Sequence, residues 1–173
     1  MSENLLEGIQ KLTTGQQAAL RREAGKRMSE ADAASLQAFY SAMPSDTPMY
    51  CQERLYAVMC IMCLWKPEER KNHQHFARCL KLIKNSESSD GRLRTLLDTY
   101  YQEDDGFLIG KLARLAKQIH SSEKRLFPDC EQLYSDLLKW NSSYRGVQRR
   151  WMEMYIRDDK NENDTSDSNG GNQ

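Results

Sequence analysis

A chain of 173 residues, 39% hydrophobic and 29% charged, can bury a sizeable core but holds no more than one domain or two small ones. Its formal net charge is zero, yet five acids and one base fall after Arg157, so residues 1–157 carry 24 bases against 20 acids, a net of +4. The N-terminal MSENLLEGIQ lacks the basic start and apolar run of a secretory peptide, and the longest apolar stretch, Ala57 to Trp65, is nine residues, half a membrane span. The five cysteines (Cys51, Cys60, Cys63, Cys79, Cys130) lie mostly in apolar helical patterns, as expected of reduced thiols in a cytoplasmic protein.

Read in chain order, the sequence predicts helices and no convincing strand. Leu5, Leu6, Ile9 and Leu12 mark a first short amphipathic segment. Thr14 with Gln17 reads as a capping box opening a helix through Arg27. Ser29 with Asp32 opens the next, striped by Leu36, Phe39, Tyr40 and Met43, and Pro44 and Pro48 bracket a turn. Tyr50 to Trp65 is apolar almost all round, which predicts a central buried helix. Lys66 to Gln74 reads as a loop, and Phe76, Leu80 and Ile83 mark a helix ending near Lys84.

The run Asn-Ser-Glu-Ser-Ser-Asp-Gly at 85–91 is the expected boundary between an N-terminal bundle (1–84) and a C-terminal one (85–157). Leu93, Leu96, Leu97 and Tyr100 predict a helix closed by the acids at 103–105, followed by a stripe of Leu108, Leu112, Leu115 and Ile119. Leu133, Leu137 and Trp140 open a penultimate helix. Residues 158–173 hold no apolar side chain and are expected to form a disordered acidic tail. The fold class is all-α, two small helical bundles in series.

The segment from Asp136 to Ile156 reads as one two-faced helix. Tyr144, Val147, Trp151 and Met154 recur at helical steps as a buried stripe, while Arg145 and Arg149 share the opposite face. An arginine face held by a buried tryptophan suits a polyanion, because the guanidinium fork matches phosphate; an ordinary solvated face is the alternative. Two further trios, Arg78, Lys81 and Lys84, then Lys111, Arg114 and Lys117, step by three and form oblique basic ridges.

Catalytic chemistry finds little support. Cys60-Ile61-Met62-Cys63 is a CxxC with His73 and His75 ten residues on, but it sits in the most hydrophobic segment without a second ligand pair. No glycine-rich phosphate loop or nucleophile motif accompanies His73, His75 or His120. Neither enzyme activity, nor a metal, nor a cofactor is expected.

Several segments together resemble one small helical family. They are Leu20-Arg21-Arg22, Phe39-Tyr40, the apolar helix through Leu64, Leu112-Ala113-Arg114-Leu115, Asp136-Leu137-Leu138-Lys139-Trp140, and Val147-Gln148-Arg149-Arg150-Trp151 with Tyr155. Their order and spacing over Gln16 to Arg157 resemble the small subunit of the type I-E CRISPR Cascade complex, the CasB family. That resemblance implies a non-catalytic, nucleic-acid-binding subunit of an antiviral ribonucleoprotein. Its implied partners are other Cascade subunits, a second copy of itself, guide RNA and target DNA, with no membrane. Phosphate contacts are expected from Arg114, Arg145, Arg149, Arg150, Lys111, Lys81 and Lys84. Arg54, Arg21 and Arg22 are further candidates that could equally be structural. A helical adaptor binding only protein is the competing reading.

Overall fold

The computed structural model describes residues 4–102 and 106–157; the acids expected to close a helix at 103–105 and the expected tail at 158–173 lie outside the described residues. Nine α-helices occur among the described residues: α1 (Leu5–Gln10), α2 (Thr14–Arg22), α3 (Ala33–Ala42), α4 (Gln52–Met62), α5 (Phe76–Leu82), α6 (Glu87–Leu97), α7 (Phe107–Ser121), α8 (Cys130–Leu138) and α9 (Gly146–Ile156). The chain is all-α, as its periodicities require. Two two-residue strands, β1 (His73–Gln74) and β2 (Phe127–Pro128), pair in parallel. They are too short to leave an alternating pattern in sequence.

Local signals set most helix starts, sometimes one residue from where the sequence placed them. The capping box of α2 is Thr13 with Gln16, each side chain bonding the other's backbone amide, rather than Thr14 with Gln17. That helix stops at Arg22 instead of Arg27, because Gly25 takes a left-handed φ of 95°. Asp32 itself caps α3, accepting from the Ser35 amide at 2.8 Å.

Helix α4 is buried from Leu55 to Met62, as its all-round apolar character predicts, and α2, α7 and α8 pack around it. Helix α5 packs on α9, where Phe76 stacks on Trp151 with ring centroids 5.3 Å apart and Trp140 meets Trp151 edge-on. One buried cluster runs from Leu5 to Tyr155. In the segment expected as a boundary, Asn85 and Ser86 link α5 to α6, and Glu87 to Gly91 already form the first turns of α6.

Polar residues inside this core have partners the sequence does not announce. Arg70, expected in a loop, is buried and donates to Gln17 Oε1 at 2.9 Å, while Gln17 donates to the Leu12 carbonyl. The CxxC thiols are buried with the rest, and burial pushes the Cys63 thiol up to about 11 and that of Cys60 higher still. Such thiols are small core hydrophobes. Among the described residues no group of His, Cys, Asp or Glu is placed to hold a metal ion, and no helix is long and apolar enough to cross a membrane.

Helices α1 and α3 approach so closely at Gly8 that an added Cβ would lie 2.3 Å from the Ala42 carbonyl oxygen. Because that obstacle is backbone, Gly8→Ala is expected to force the helices apart and cost about 1–3 kcal/mol, read as a lowered thermal midpoint.

Candidate nucleic-acid interface

The expected single helix from Asp136 to Ile156 is two helices. α8 ends at Leu138, the chain turns through residues 139–145, and α9 begins at Gly146. The turn is fixed by polar and aromatic anchors. Asn141 exchanges two hydrogen bonds with the Tyr101 backbone at 2.9 and 2.8 Å, and the buried Trp140 indole donates to the Thr99 carbonyl at 2.8 Å. Arg145 then takes a left-handed φ of 54° as the residue before α9. The kink carries Tyr144 out of the expected buried stripe; its side chain is 72% exposed. Val147 and Trp151 stay buried, and Met154 is partly so.

This kink gathers an arginine groove. Arg94 and Leu97 of α6, Tyr144 and Arg145 of the turn, and Arg149 and Met152 of α9 line a shallow cleft of about 480 Å³ that also holds Asp98. Arg145 bridges to α6, donating to the Leu97 carbonyl at 2.8 Å and lying 3.4 Å from Asp98 Oδ1, itself largely exposed. The Arg149 guanidinium sits 5.0 Å from the centre of the Tyr144 ring, a cation–π contact that orders both side chains. Three permanent cations and one exposed carboxylate leave the cleft net positive. Of these residues, Arg94 was not evident as a site residue in sequence, since only packing brings α6 beside the α9 start.

At the other end of α9 the pattern continues with more neutralisation. Lys84 pairs with Asp90 at 2.9 Å and lies 5.1 Å from the Tyr155 ring centre, while Tyr155 donates to Asp90 at 2.6 Å. Lys81 reaches the Arg157 carbonyl. Helix α9, eleven residues and about 16 Å long, thus has basic side chains bordering both of its ends.

Arg150 points elsewhere. It lies 2.5 Å from Asp136, which is 1% exposed and also accepts from the Trp151 indole at 2.7 Å and from Gln132 at 2.9 Å. His75 Nε2 lies 3.4 Å from the same carboxylate, while His75 Nδ1 caps α5 by accepting from the Ala77 amide. The cap requires a bare Nδ1, so the ring proton sits on Nε2 and faces Asp136. Burial alone would raise the carboxyl's pKa; the adjacent His75 ring, hydrogen bonds from Trp151 and Gln132 and the Arg150 charge outweigh it and hold the group below the usual carboxylate range.

Comparison with known proteins is decisive on kinship. The profile of the CRISPR-associated protein Cse2 family matches residues 16–155. The chain belongs to the Cse2 family. CasB from Thermus thermophilus has the same fold at a TM-score of 0.65 and 24% identity, covering 87% of this chain and 94% of that one. M. ruber CasB matches at 0.66 and 18%, covering 87% and 89%. A chain described as a CRISPR RNA-guided surveillance complex matches at 0.66 and 20%, covering 88% and 93%. No curated protein matches by sequence.

Within this Cse2 family chain, several residues of the family-like segments hold the fold. Arg21 Nε donates to the Cys63 carbonyl at 2.6 Å and so closes the end of α4. Arg22 beside it is exposed. Arg54 is half-buried, its guanidinium 4.0 Å over the Tyr101 ring and one nitrogen donating to the Tyr50 carbonyl, while Glu53 accepts from the Met28 amide. On α7 the apolar stripe faces the core, Arg114 and Lys117 are exposed, and Lys111 lies 5.4 Å from the Phe107 ring centre. No α7 residue lines the α6–α9 cleft among the described residues. The structure therefore unites Arg145 and Arg149 with Arg94, and leaves the α7 ridge as a separate basic face.

Proposed function

We propose that this Cse2 family chain is a non-catalytic subunit of a CRISPR RNA-guided surveillance complex that grips target DNA by its backbone while guide RNA pairs with it. The reading is carried by the convergence of Arg94, Arg145 and Arg149 on one groove, from two helices and a turn held by buried anchors. Guide pairing supplies sequence choice in such assemblies, so the protein's part is a positive track on a rigid scaffold. Strand exchange is close to energetic balance, and a few phosphate contacts shift it. The α7 face with Arg114 adds contacts along a second path. Exposed Met49, Tyr50 and Tyr40 on the side of α3 and α4 are the surface offered to sister subunits, with a second copy of the chain among them.

A salt titration tests the grip. Three phosphates neutralised on a single strand give a log–log slope of binding against salt of about −2, read by fluorescence anisotropy with a labelled 20-mer and the full chain. A protein-only adaptor would show no such binding at any salt concentration.

A further inference from the structure

The groove holds a feature that phosphate contacts do not use, the ring of Tyr144. An aromatic side chain 72% exposed in a protein of this size is normally loose, but this one is held. Arg149 covers it at 5.0 Å, and the absence of a Cβ at Gly146 lets the ring lie against the first turn of α9, where an added Cβ would stand 3.3 Å from Tyr144 Cδ1. The ring is thereby held at the edge of a cleft rimmed by Arg94 and Arg145 and cushioned by the flexible Met152, with most of its surface open to solvent.

An ordered aromatic plane flanked by guanidinium groups fits one ligand class closely, a flat heterocycle joined to phosphates. We propose that Tyr144 is a stacking platform for one unpaired nucleobase, with Arg94, Arg145 and Arg149 holding the phosphates on either side. This rests on the proposed grip and narrows it, since bases in a duplex are already stacked on one another and cannot offer a face to the ring. The site therefore takes single-stranded nucleic acid in preference to duplex. Stacking is indifferent to base identity because every base has a π-face, so a platform here adds affinity without adding sequence choice.

The test compares full-length wild type, Tyr144→Leu, Tyr144→Phe and Arg149→Gln on a labelled oligo-dT 20-mer and on a duplex of equal length. Tyr144→Leu is expected to weaken single-strand binding about 5- to 100-fold, the range of one lost stacking contact, with the salt slope and duplex affinity unchanged. Tyr144→Phe retains affinity, and Arg149→Gln lowers the salt slope by about 0.7. A strand carrying 5-iodouracil, irradiated in the complex, should cross-link to Tyr144. Cross-links that avoid Tyr144, or a Tyr144→Leu protein that binds the single strand like wild type while Arg149→Gln does not, would overturn the platform and leave the backbone grip standing. A Tyr144→Leu defect confined to association with sister subunits would make the groove a protein contact and overturn it as well. Absence of salt-dependent binding by wild type would remove both readings.

Discussion

Asp136→Ala is expected to be among the most destabilising single substitutions in the chain, at about 3–5 kcal/mol. The carboxylate is 1% exposed and joins three elements at once: Gln132 on its own helix, Arg150 and Trp151 on α9, and His75 at the start of α5. Removing it strands the indole N–H without an acceptor and takes away the carboxylate that faces the His75 ring. Arg150, about half exposed, can turn to water, which keeps the cost near the lower end of that range. For a chain of this size the thermal midpoint should fall by about 6–12 °C.

The pH dependence has a definite sign. The folded-state pKa of Asp136 lies below its unfolded value, so its contribution is complete above the unfolded pKa and is lost as pH falls through the lower folded one. The stability gap between wild type and Asp136→Asn, measured by urea unfolding, should be widest near neutrality and close in strong acid. A gap constant across that window would mean the carboxylate's charge is not what binds the hub. Arg150→Gln offers the companion measurement, with lowered stability and an unchanged salt slope for strand binding.

How far the sequence could lead depended on whether a feature was local. Helix α4 was legible because its segment is apolar almost all round, and α7 because burial on a half-exposed helix repeats every three or four residues; Leu108, Leu112, Leu115 and Ile119 all lie in the core. The same rule misled at Tyr144, where a helical step continued by chance across a turn. Asn141, Ser142 and Ser143 were the local sign of that turn, and their competition with the helix is a known property of short polar side chains.

The roles of single arginines were not legible at all. Arg149 and Arg150 are neighbours about 100° apart around the helix. Only the position of Asp136, fourteen residues earlier, decides that Arg150 is tied to a buried carboxylate while Arg149 faces the groove. Arg21 acts on a carbonyl 42 residues away, a contact with no trace in spacing. Arg94 had the same limitation in reverse, since its helix gave no reason to prefer it over Arg92 until α6 was seen beside the turn.

The triple substitution Arg94→Gln, Arg145→Gln, Arg149→Gln is expected to give the largest loss of strand binding. Each phosphate neutralised on a single strand contributes about 0.7 to the salt slope, which at 0.15 M salt corresponds to about fourfold in affinity. Three together predict a slope reduced by about 2 and affinity lowered about 50-fold, read by anisotropy across a salt series. Stability should move much less, because these side chains lie on the surface; the exception is Arg145, whose bond to the Leu97 carbonyl ties the turn to α6 and is worth about 1 kcal/mol. Circular dichroism should therefore show unchanged helical content alongside the binding loss. The α7 face offers a second path, so Lys111, Arg114 and Lys117 provide the comparison: replacing that trio with glutamine removes the same number of charges from a face that does not line the groove. If the two triple variants lose affinity equally, the grip is shared by both faces and is not seated in the groove; a loss concentrated in the α6–α9 variant assigns it to the groove.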